Sequence, residues 1–192
     1  MALVNHLEHP IDEVYKPYVP ETLEELLDCF PAGSAADDFM WRGQANLYWT
    51  PFPTLYRRIR GSGYSEMQIN EGLVRHVESR IIEEARANGP LRCGGSVLEF
   101  MARMQHYGGA TRLLDVTSSS DVALYFASSK YDEVAGIVYS YRVNPDMRVS
   151  IGEQPDGWEP DWYELTDRCR GGRPLLVKPR GYEPRIVVQH GA

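Results

Sequence analysis

Met104-Gln105-His106-Tyr107-Gly108-Gly109-Ala110-Thr111-Arg112-Leu113-Leu114-Asp115 brings a helix end, a glycine turn and a short apolar strand into one stretch. The helix that ends there is predicted to begin at Ser96, whose spacing to Glu99 makes a capping box, with Val97, Phe100, Met101 and Met104 as its apolar face. Gly108-Gly109 stops it, and Thr111 to Asp115 reads as a strand. Downstream, Ser118-Ser119-Ser120-Asp121 is rich in N-cap residues, so the run Val122 to Ala127 is expected to start a helix. Gly136 to Tyr141 is the clearest β sequence by residue type, and Leu175 to Lys178 and Arg185 to Gln189 are predicted as further strands.

Upstream, Ile69, Leu73, Val77, Ile81 and Ala85 recur every four residues and predict one long helix from about Tyr64 to Asn88. Phe39 to Gly43 is an apolar-aromatic strand with Arg42 at its end. Thr22 and Glu25 form another capping box, and Leu23, Leu26, Leu27 and Phe30 are expected to supply the buried side of that helix. Pro10, Pro17 and Pro20 make residues 1–20 an extended N-terminal arm, while Asn144 to Pro174, crowded with Pro, Gly, Asp and Trp, reads as a long loop. Helices fill the first half and strands the second, without βαβ alternation. The fold class is therefore α+β, a helical first half packed on a mainly antiparallel sheet, in a single domain spanning 21–192.

At 192 residues the chain suits one domain with a sizeable core. No apolar run approaches the roughly 18–20 residues of a membrane span, and Met1 to His9 lacks the features of a signal peptide. Three scattered cysteines, Cys29, Cys93 and Cys169, fit a reducing, cytoplasmic setting. The five histidines form no recognisable zinc pattern, so no metal is expected. A net charge of −7 argues against a chain that coats itself with nucleic acid. It leaves room for a local anion site at Arg57, Arg58 and Arg60, with Arg42 upstream, although such a cluster also reads as a solvated helix flank.

The residues themselves offer two roles for the Gln105–Asp115 block. His106 is a titratable group with Asp115 in reach to orient it, a pairing suited to metal-independent hydrolysis or nucleolysis. Equally, His106 can cap a helix end and Asp115 can form a turn. Arg42 and Asp115 also read as partners in a buried ion pair, and Trp41, Tyr56, Leu113, Leu114, Leu124 and Phe126 as core.

Five motifs in order, Trp41-Arg42-Gly43-Gln44, Pro53-Thr54-Leu55-Tyr56-Arg57, the Gln105–Gly108 and Thr111–Asp115 block, Ala123-Leu124-Tyr125-Phe126-Ala127, and Arg185 to Gly191, closely resemble the FRG domain, named for its aromatic-Arg-Gly motif. The likeness runs from about Phe39 to the end of the chain. It departs from the family at Ala110, where proline is usual, and at Val116, where tryptophan is usual; the family also commonly continues beyond the final glycine with an apolar residue, whereas this chain ends at Ala192.

A more distant likeness in layout, to the NAD-binding core of ADP-ribosyltransferases, implies an ADP-ribosyltransferase-like sheet and NAD as substrate. It implies catalytic roles for Arg42 at the early basic position, for Thr117 or Ser118 at the middle one and for Gln189 at the late one; His106 and Asp115 are catalytic candidates on the separate, hydrolytic reading of their own residues. It also implies NAD contacts from Arg42, Gly43, Gln44, Tyr56 and Arg57. Gln105, Tyr107, Thr111, Arg112 and Ser118 complete that set. The activity implied is an ADP-ribosyl transferase or NAD glycohydrolase, acting on a protein or nucleic-acid acceptor as a toxin or in phage defence. The alternative is a non-catalytic module that binds a nucleotide, a nucleic acid or a phosphate group. Oligomeric state is not legible.

Overall fold

The computed structural model describes residues 2–4, 18–30, 39–88, 96–131, 133–142, 146, 148–150, 161–169 and 175–178. Among them are six α-helices and six strands, in the order β1 (Ala2–Val4), α1 (Leu23–Asp28), β2 (Phe39–Gln44), α2 (Thr54–Gly61), α3 (Glu71–Asn88), α4 (Val97–His106), β3 (Leu113–Asp115), α5 (Ser120–Ser128), β4 (Ile137–Arg142), β5 (Arg148–Ser150), α6 (Trp162–Arg168) and β6 (Leu175–Lys178). The chain forms two compact units. One draws on Met1–Pro10, Pro51–Asp115 and Met147–Gly191; the other draws on Ile11–Thr50 and Val116–Asp146.

The first unit holds a four-stranded sheet in the order β3-β1-β6-β5. Its β1 pairs antiparallel with both β3 and β6, whereas β5 and β6 run parallel. Three residues of the stretch read as an irregular arm thus form a strand with neighbours on both sides. The stretch read as a loop from Asn144 to Pro174 likewise contains β5 and α6. Asp161 caps α6 by accepting from the Tyr163 and Glu164 amides, and the helix buries Trp162, Leu165 and Thr166. A sequence crowded with turn formers hid this short helix because its stretch is too brief to show a period.

Two apolar clusters fill this unit. Ile82, Leu98, Phe100, Met101, Met104, Leu113, Val149, Trp162, Leu165 and Cys169 make the larger one, and Leu55, Tyr56, Ile59, Ile69, Val74 and Ala110 the smaller. The long helix starts later than its periodicity suggests. A 3₁₀ turn at Glu66–Gln68 comes first, and the Asn70 side chain accepts from the Leu73 amide at 3.0 Å where α3 begins. Its buried residues are Glu71, Val74, Glu78 and Ile82, one position round from the apolar stripe. The helix turns two carboxylates inward because a buried cation waits there.

That cation is Arg112. It is fully buried, with Nε and Nη2 donating to Glu78 at 2.8–3.1 Å and Nη1 donating to Glu71 Oε1 at 2.8 Å. Trp162 Nε1 donates to Glu78 Oε2 at 2.9 Å, and Arg75 Nε donates to Glu71 Oε1 at 2.7 Å before reaching on to Thr166 and Asp167. Burial would lower the Arg112 pKa, yet the charges and hydrogen bonds of Glu78 and Glu71 outweigh it and leave the pKa raised.

The second unit is built on the antiparallel pair β2 and β4, with Arg42 opposite Tyr139, Met40 opposite Tyr141 and Gly43 opposite Val138. Helix α5, capped by Ser119, packs against β2. In α1 the expected cap forms, Thr22 accepting from the Glu25 amide, but the expected buried side does not: Leu23 is 70% and Leu27 52% exposed.

Candidate functional site

Alternation along β2 and β4 sorts their side chains onto two faces. Trp41 and Gly43 lie on the α5 side. A Cβ on Gly43 would stand 1.7 Å from the Ala123 carbonyl oxygen, and one on Gly136 would stand 2.0 Å from that of Ala127. The helix backbone therefore rests directly on two glycines. Trp41 is 5% exposed, edge-on to Phe30 with ring centroids 5.1 Å apart.

The other face carries Met40, Arg42 and Gln44 from β2 and Ile137, Tyr139 and Tyr141 from β4. Arg42 and both tyrosines are half-buried and Gln44 is buried. The two phenol rings stack with centroids 6.5 Å apart. The Trp49 carbonyl accepts from Gln44 Nε2 and from the Tyr139 hydroxyl, each at 3.2 Å. Gln44 Oε1 and the Tyr141 hydroxyl are buried without hydrogen-bond partners. Burial raises the pKa of both tyrosines, the Arg42 charge opposing it without cancelling it.

A pH dependence follows. Because folding favours the neutral Tyr141 phenol, its contribution is intact below the ordinary tyrosine value of 10.0 and is lost as pH climbs from there toward the raised folded value. Urea midpoints are expected to fall above about pH 10, and Tyr141→Phe to flatten that fall. An equal fall in both proteins would remove Tyr141 as the cause.

On the other edge of β2, Trp41 and Thr117 exchange backbone hydrogen bonds of 2.7 and 2.9 Å. Thr117 thus sits beside the Arg42 strand. Its hydroxyl oxygen accepts from the Ser119 amide at 3.1 Å, and Ser118 is exposed.

In the first unit the Gln105–Asp115 block closes on itself. Tyr107 ends α4 and Gly108, at φ +81°, reverses the chain, so that the Gly108 amide reaches the Gln105 carbonyl and the Gly109 amide that of Met104, each at 2.8 Å. Thr111 donates its hydroxyl to Gln105 Oε1, and Gln105 Nε2 donates to Asp115 Oδ1 at 2.6 Å. Asp115 is thus aimed by Gln105. The His106 Nε2 is buried and makes no hydrogen bond, so His106 and Asp115 are not linked through that atom.

The remaining candidates are scattered in role. Tyr107 is exposed, edge-on to His106. Tyr56 is 1% exposed in the core, its ring 4.8 Å from that of Phe52, so the core reading holds for it rather than stacking on a ligand. Arg112, expected on a cofactor, instead holds its guanidinium between two carboxylates. Arg58 donates to the Gly108 carbonyl at 3.1 Å and Arg60 pairs with Glu66 at 2.9 Å, while exposed Arg57 reaches Thr54. Arg42, Gly43, Gln44, Thr117 and Ser118 fall in one unit; Arg57, Gln105, Tyr107, Thr111 and Asp115 fall in the other. Gln189, with the whole Arg185 to Gly191 motif, lies outside the described residues.

Sequence reading missed Glu71 and Glu78, although their seven-residue spacing on one helix face was a visible signal. It also missed Tyr139 and Tyr141, which the register alone brings beside Arg42.

The family model of the FRG domain matches residues 37–135, just over half of the chain. The chain belongs to the FRG-domain family. The match ends before the Arg185 to Gly191 motif, so that part of the likeness stands outside it. No curated protein and no solved structure matches this FRG chain. Its fold mixes helices and strands, and Ala110 and Val116 are both buried. No helix among the described residues is long and apolar enough to cross a membrane. Among the same residues no group of three or more His, Cys, Asp or Glu is placed to hold a metal ion.

Proposed function

We propose that this FRG domain binds NAD and acts as an ADP-ribosyltransferase or NAD glycohydrolase. The observation that carries the reading is the backbone bridge between Trp41 and Thr117. It sets the backbone of the Thr117-Ser118 segment beside the strand that carries Arg42, which supports a site drawing on both.

In such a reaction the bond between ribose and nicotinamide breaks and positive charge gathers on the ribose; the leaving nicotinamide takes the bonding electron pair. The ribose carbon then bonds to an acceptor nucleophile, which gives up its proton, or to water in the glycohydrolase. The guanidinium of Arg42 suits the pyrophosphate, and the Ser118 hydroxyl suits a ribose oxygen. Arg42→Ala is expected to lower nicotinamide release, followed by mass spectrometry, by about a hundredfold or more. Absence of both nicotinamide release and a thermal shift with NAD in the parent protein would sink the proposal.

A second reading, a non-catalytic nucleotide-binding module, draws support from Gln189. An amide hydrogen-bonds a ribose hydroxyl but does not stabilise developing positive charge as a glutamate does. NAD binding without nicotinamide release, at most weakened by Gln189→Ala, would favour it.

A further inference from the structure

The face of β2 and β4 opposite α5 has more polar capacity than its own structure uses. Gln44 is 7% exposed, and its amide nitrogen is committed to the Trp49 carbonyl while its Oε1 accepts nothing. The Tyr141 hydroxyl is buried and equally unused. Leaving such groups without partners is costly, so a buried one in a folded protein calls for an external partner. The strand register sets the order along this face as Gln44, then Arg42 beside Tyr139, then Tyr141. At roughly 3.4 Å per residue, Gln44 and the Met40–Tyr141 position lie about 14 Å apart, with the guanidinium between them.

We propose that this face binds a nucleoside diphosphate, the Arg42 guanidinium taking the phosphates, the Tyr141 hydroxyl a phosphate or sugar oxygen, and Gln44 Oε1 a sugar hydroxyl or base amino group. A phosphate chain needs the cation and a hydroxyl donor; a sugar or an amino-bearing base supplies the donor that Gln44 Oε1 requires. The paired phenol faces add a surface for a planar ring. The proposal extends the NAD reading above by naming the ligand class and adding Tyr139 and Tyr141 to the site, yet it stands or falls on a ligand that the protein does not consume.

The test is calorimetric titration of the protein with ADP and, separately, with adenosine. ADP is expected to bind, with adenosine much weaker. Tyr141→Phe, which removes only a hydroxyl that the fold leaves unused, is expected to keep or raise the thermal midpoint and to weaken ADP about tenfold. Arg42→Gln is expected to reduce ADP binding to the adenosine level. Failure of the parent protein to bind ADP, or equal ADP affinity in Tyr141→Phe, overturns the proposal. ADP binding that depends on Tyr141 in a protein that leaves NAD intact upholds this site and rejects NAD transfer. Nicotinamide release with ADP affinity indifferent to Tyr141 does the reverse.

Discussion

Arg112→Met is expected to lower the unfolding free energy by about 3–5 kcal/mol, because it leaves the buried Glu78 carboxylate without its cation. Glu78 is 0% and Glu71 5% exposed, and Arg112 is the residue that meets both. Urea unfolding followed by tryptophan fluorescence is a suitable measurement, since Trp162 donates to the same carboxylate. Adding Glu78→Gln to Arg112→Met is expected to recover part of the loss by removing the orphaned charge, and the two changes will be strongly non-additive. Arg112→Lys is expected to rescue little, as a single ammonium does not reproduce the fork of bonds to two carboxylates. A loss below about 1 kcal/mol for Arg112→Met would mean that the network contributes little, as some buried ion pairs do.

The second large effect is expected at Gly43. Its missing side chain is the space that the α5 backbone occupies, and the nearest atom to an added Cβ is a helix carbonyl oxygen at 1.7 Å. A flexible side chain moves aside at little cost; a hydrogen-bonded helix backbone does not. Gly43→Ala is expected to cost about 3 kcal/mol or more, which lowers the melting temperature on the order of 10 °C for a chain of this size. Gly61→Ala is the matched control, at a helical position where an added Cβ meets nothing within 4 Å. It is expected to leave stability unchanged or slightly improved. Similar melting temperatures for the two variants would show that α5 does not rest on β2 as described.

These two residues also show how far the sequence could be read. The capping boxes at Thr22 and Ser96, the N-cap at Ser119 and the β composition of Ile137–Arg142 are local signals, and each produced the expected element. The buried face of α3 escaped notice because periodicity counts apolar residues, whereas here two carboxylates belong to the core through a partner distant in sequence. β1 and α6 were missed for a related reason: strands of three residues and helices of seven are set by their neighbours rather than by an internal pattern. At the candidate site, the motif residues Arg42, Gly43 and Gln105 to Asp115 stood out in the sequence. The roles did not, because the distinction between Gly43 as a ligand contact and Gly43 as a seat for a helix is a matter of packing. The same holds for Tyr139 and Tyr141, which enter the site only through the register of β2 and β4.

Strand β1 occupies an interior place in its sheet, between β3 and β6. Both partners follow it late in the chain, so during synthesis the segment Ala2-Leu3-Val4 emerges long before anything exists for it to pair with. The sheet of this unit is therefore completed by closing very long loops, a route that favours slow folding. Until β6 arrives, the nascent chain carries an unpaired apolar strand, and its yield in a cell depends on that edge staying away from other chains.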